Sequence, residues 1–81
     1  MENRFETKEY AQEWVEGGMP CEYMYGLGYR GARPRPLSRE KALELLPKYR
    51  FGMGLYELYF VKNSEGRSVL RFNEYSENDM Y

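Results

Sequence analysis

Eighty-one residues make one small domain, in which roughly 64% of the extended chain's surface can be buried, with no room for a second. Twelve Lys and Arg stand against thirteen Asp and Glu, with no histidine, which excludes a bulk DNA-coating protein and a wholesale polyanion mimic. Hydrophobic residues at 42% and aromatics at 17% exclude a disordered chain.

The first predicted element is a helix. Thr7 caps it, and Tyr10, Ala11, Trp14 and Val15 recur at helical spacing before Gly17, Gly18 and Pro20 end it. Its other face carries Glu9, Glu13 and Glu16, of which the last two oppose the helix dipole and call for a basic neighbour. Cys21 to Arg30 then alternates with period two and predicts a half-buried strand. From Gly31 to Pro36, prolines 34 and 36 hold the chain extended as a stiff exposed loop. Ser38 caps a second helix, stapled by Leu37 and Ala42, which Pro47 limits to about two turns.

The last elements read as a β-hairpin, Leu55–Lys62 with Arg67–Asn73. A three-residue loop of Ser64, Glu65 and Gly66 sets Asn63 opposite Arg67, Phe60 opposite Leu70 and Leu58 opposite Phe72. A one-residue slip would mix the two faces. The acidic tail beyond Glu74 frays unless Tyr75 or Met80 docks. The expectation is a single α+β domain over residues 1–81, with loose ends at 1–6 and 76–81. It has a three-stranded, mainly antiparallel sheet with two short helices on one face, in the order α-β-α-β-β.

Most site chemistries lack their residues. Without histidine there is no Ser-His-Asp triad, no Cys-His pair and no common zinc set. The lone Cys21 can form no internal disulfide, suits a reducing cytoplasm and falls on the apolar side of its strand. Glu9, Glu13 and Glu16 lie on a solvated face, where an ordinary carboxyl is a poor proton donor at neutral pH. Gly26, Gly28 and Gly31 spell G-x-G-x-x-G, but the Arg-Pro segment follows where a phosphate-binding helix would have to begin. No metal, cofactor or catalytic residue is therefore expected. The charged start has no apolar leader core, and the longest apolar run, Leu58–Val61, is far short of a membrane span. A cytoplasmic protein is expected.

Charge layout is more informative. Residues 29–50 hold seven basic groups (Arg30, Arg33, Arg35, Arg39, Lys41, Lys48 and Arg50) against two acidic ones, and both flanking regions are net acidic. An arginine-rich loop at Arg30, Arg33, Arg35 and Arg39, flanked by Tyr29 and Tyr49, suits a phosphate backbone with stacked bases. The plainer alternative is that Arg30, Arg33 and Arg39 neutralise the acidic face of the first helix. On the hairpin, parity turns Tyr59, Val61, Val69 and Arg71 away from the helices, and an uncovered apolar patch there marks a partner surface.

The stretch Pro36-Leu37-Ser38-Arg39-Glu40-Lys41-Ala42-Leu43-Glu44-Leu45-Leu46, followed by Gly54-Leu55-Tyr56-Glu57-Leu58-Tyr59, resembles small accessory proteins of Firmicute conjugative elements. These include polyvalent-protein-associated modules, in which a Leu-Ser-x-Glu-x-Ala-x-x-Leu helix leads into an aromatic hairpin. The resemblance covers Pro36 to Tyr81. It implies a bacterial cytoplasmic protein of a mobile element, and brings no catalytic residues with it. The leading expectation is a non-enzymatic protein-interaction module that captures a protein partner or self-associates through Tyr59, Val61, Val69 and Arg71, with the arginine loop also contacting protein. The alternative is nucleic-acid binding through the arginine loop.

Overall fold

The structure, a computed structural model, describes residues 6–26, 33–52 and 54–76. Helix α1 (Lys8–Glu16) starts where Thr7 Oγ1 accepts from the Tyr10 amide at 3.2 Å, and it buries Ala11 and Val15. It stops where Gly18 adopts φ +74°, a left-handed value that costs glycine little. The Met19 amide reaches back to the Trp14 carbonyl, and the Trp14 indole donates to the Pro20 carbonyl at 2.7 Å. Helix α2 (Arg39–Leu45) begins with Ser38 Oγ on the Lys41 amide, and its last turn tightens into a 3-10 turn over Leu46–Lys48. Pro47 cannot supply an amide to continue the α-helical ladder, which explains the short length.

The sheet departs from expectation. Among the described residues it has five strands, not three, and it is mixed: β1 (Cys21–Tyr25), β2 (Arg35–Pro36), β3 (Arg50–Phe51), β4 (Tyr56–Lys62) and β5 (Ser68–Glu74) lie in the order β2-β1-β5-β4-β3. Two pairings are antiparallel, β1–β2 and β4–β5, and two are parallel, β1–β5 and β3–β4. The element order is thus α-β-β-α-β-β-β. The Arg-Pro segment is no free loop: Tyr23 faces Arg35, Glu22 faces Pro36, and the Leu37 amide donates to the Cys21 carbonyl at 3.0 Å. Two-residue edge strands with proline at one edge limit further strand addition.

The hairpin has the expected register. Phe60 faces Leu70 and Leu58 faces Phe72, with Gly66 at φ +81° in the turn. The tail docks as far as Tyr75, whose amide donates to the Leu55 carbonyl at 2.8 Å. Residues 77–81, with Met80, lie outside the described residues.

Both helices cover one face of the sheet. The core joins Ala11 and Val15 of α1 to Ala42 of α2, together with Leu46, Tyr49, Cys21, Leu58, Leu70 and Phe72. Trp14 packs edge-on against Phe60 at 5.2 Å, and Tyr49 against Phe72 at 5.3 Å. The Lys8 ammonium donates to the carbonyls of Leu46 and Tyr49, tying α1 to the end of the 3-10 turn. Partial burial, with Arg50 nearby, lowers its pKa.

Candidate functional site

The hairpin brings the four expected partner-binding residues together, with Tyr59 opposite Arg71 and Val61 opposite Val69. They do not form the uncovered apolar patch expected of them. Val69 is 1% exposed, so it has no surface to offer a partner. It pairs with Val61 of β4, and the strand that carries it, β5, is flanked on both sides, by β4 and β1. Arg71 is engaged as well, donating from Nη2 at 2.8 Å and Nε at 3.2 Å to Oε1 of Glu22 on β1. Tyr59 donates to Oδ1 of Asn73 at 2.9 Å, and Asn73, fully buried, donates to the Gly26 carbonyl at 3.2 Å. Tyr75 donates to Glu57 at 2.9 Å. Half-buried Tyr59 and Val61 are what remains accessible of the expected patch. Among the described residues, the exposed large hydrophobic ones are instead Met19 and Tyr25, at 47% and 53%.

Of the arginine loop, Arg30 lies outside the described residues, as does the flanking Tyr29. Arg33 and Arg35 are exposed and make no ion pair among the described residues. Arg39 does meet α1, but at a backbone group: its Nε donates to the Glu16 carbonyl at 3.1 Å. That places a cation on the negative end of a helix whose last turn has no basic residue of its own. The Glu16 carboxylate accepts from Gln12 instead. Neutralisation of the acidic helix face thus comes down to this one contact among the described residues. Tyr49 is 1% exposed and cannot stack on a base, contrary to expectation.

The basic residues do converge, around a groove of about 300 Å³ between β2 and α2. Arg35, Lys41 and Lys48 contribute to its lining and are exposed. Pro36, Leu37 and Leu45 make apolar walls, and Tyr23, Tyr49 and Glu74 complete the lining. Glu74 Oε1 accepts from the hydroxyls of Tyr23 at 3.1 Å and Tyr49 at 3.4 Å. Burial, with the Glu74 hydrogen bond and charge, pushes the Tyr23 hydroxyl up to about 12; burial and the Glu74 charge push Tyr49 up as well. Both phenols therefore remain protonated donors at neutral pH. Lys48 also lines a second recess with Arg50, Leu55 and Tyr56, its Nζ 4.2 Å from the Tyr56 ring centre. The positive strip thus continues from Arg35 through Lys41 and Lys48 to Arg50.

The charge excess over residues 29–50 contained the signal for Lys41, Lys48 and Arg50. Nothing in the sequence tied Glu74, some 25 residues beyond Tyr49, to that segment. Cys21 is buried as expected, and desolvation pushes its thiol up to about 11, away from the reactive thiolate. Among the described residues no group of His, Cys, Asp and Glu could hold a metal ion, and no helix is long and apolar enough to cross a membrane. No family model, curated protein or solved structure matches the chain.

Proposed function

We propose that the chain is a non-enzymatic accessory module that binds nucleic acid through the strip Arg33, Arg35, Lys41 and Lys48. The observation that carries this reading is the pair of exposed arginines, Arg33 and Arg35, with no ion-pair partner among the described residues. Arg35 lines a concave surface together with two more cations, Lys41 and Lys48, and Arg33 stands two residues before it in the chain. Cations held near one another on a short extended strand and a helix neutralise successive phosphates and release their counterions. Tyr25, exposed at the end of β1, offers a ring on which a base can stack.

Fluorescence anisotropy with labelled single- and double-stranded oligonucleotides over a salt series tests the reading. Four phosphate contacts give a log–log slope of about −3, and R35E combined with K48E should abolish binding at moderate salt. Absence of binding to either probe at low salt would overturn it.

A protein partner seated on Tyr59 and Val61 is the second reading, favoured by the accessible part of those two side chains on β4. It predicts that Val61→Asp abolishes self-association or partner capture and leaves the oligonucleotide titration unchanged. Capture unchanged in that variant would remove it.

A further inference from the structure

We infer that the groove between β2 and α2 accepts one unstacked nucleobase carrying an exocyclic amine, so that the chain selects single strands and favours cytosine over thymine. The inference rests on the nucleic-acid reading above and adds to it a strand form and a base preference.

Three features of the groove combine. Pro36, Leu37 and Leu45 offer apolar walls to the faces of a planar ring. Arg35 and Lys48 line the same groove and are exposed, so their charges are available to the phosphates of an inserted nucleotide. Glu74 supplies the discriminating contact: its Oε1 is taken by the two phenols, and its Oε2 has no hydrogen bond among the described residues. A carboxylate oxygen only accepts. The N4 amine of cytosine can donate to it, whereas the O4 of thymine would set acceptor against acceptor. Adenine and guanine also carry amines, but their larger rings stack differently, so cytosine and thymine make the cleaner comparison.

Duplex bases are already paired and stacked. Bringing one into the groove would require flipping it out of its stack and breaking its pair. An acidic peptide is the competing occupant of a basic groove. It would satisfy the cations but place its carboxylates near Glu74, whereas a base meets the walls and Glu74 together.

The test is an anisotropy titration of the full chain with labelled oligo-dC, oligo-dT and a duplex of matched length at low salt. Wild-type protein should bind oligo-dC roughly tenfold more tightly than oligo-dT, for one hydrogen bond to a charged acceptor, and bind the duplex most weakly. In Glu74→Gln the amide oxygen still accepts from Tyr23 and Tyr49, while an amide NH2, which only donates, replaces the free oxygen, so the preference should vanish or reverse. Equal affinity for oligo-dC and oligo-dT, or a preference unchanged in E74Q, sinks the base pocket and leaves nucleic-acid binding standing. Duplex bound as tightly as single strands, or polyglutamate displacing the oligonucleotide at equal charge, does the same for the pocket. No binding to any of the oligonucleotides sinks the underlying reading instead. Should E74Q fail a circular-dichroism folding check, the wild-type ratio of the two affinities decides alone.

Discussion

The two faces of the sheet use the same alternating strands to different ends. On the helix-covered face, Leu58, Leu70 and Phe72 are buried among apolar neighbours and rings. On the opposite face, one charged pair and a short chain of side-chain hydrogen bonds run between strands: Glu22 with Arg71, Tyr59 with Asn73, Glu57 with Tyr75. The first face is stabilised by area removed from water and the second by pairing polar groups that would be costly to leave alone. Alternation by itself does not distinguish a bare apolar face from one closed by such pairs.

The largest effect should come from the covered face. Phe72→Ala removes a ring fully buried on the central strand, and about 3–5 kcal/mol of stability should be lost, a large share of what a domain of this size holds. A urea midpoint that hardly moved would mean that the helices do not seal that face. On the other face, Asn73→Ala leaves the buried Gly26 carbonyl and the Tyr59 hydroxyl without their partner, and should cost about 1–3 kcal/mol in the same assay. A neutral result would show that water replaces the amide and that this face is wetter than its geometry indicates.

The smallest effect belongs to the rim of the helix face. Tyr23 is raised from an ordinary value near 10 to about 12, and Tyr49 is raised as well. Between the unfolded and folded values the native chain holds more protons than the unfolded one, so stability falls as pH rises. The contribution is full below about pH 10 and is lost as pH rises through about 12. Urea midpoints measured from neutral to strongly alkaline pH should decline over that window, and Tyr23→Phe should flatten part of the decline. A decline identical in Y23F would separate Tyr23 from the effect.

What could be read from the sequence follows the range of the interactions. The caps at Thr7 and Ser38, the stop at Gly18 and the hairpin register are each decided within a few residues, and all were legible. The parallel pairing of β1 with β5 joins residues about fifty positions apart, and no local pattern announces it. Strands β2 and β3 are two residues each, too short for any periodicity. The misreading of the Tyr59 face followed from these. Once β1 flanks β5, Glu22 comes within reach of Arg71. The partners of Asn73, the Tyr59 hydroxyl and the Gly26 carbonyl, are likewise set by the sheet and not by its neighbours in sequence. The groove combined both difficulties, since its basic members were visible as a charge excess and the arrival of Glu74 among them was not.

The position of β5 has a consequence for how the molecule is made. The strand at the centre of the sheet is the last in chain order among the described residues, and both halves of the sheet need it as their common neighbour. While the protein is being synthesised, β1 and β4 can each exist only as an open edge without its main partner. The native sheet can therefore close only once Ser68–Glu74 has left the ribosome, and a product terminated before that strand would carry two sticky borders for chaperones or proteases to recognise.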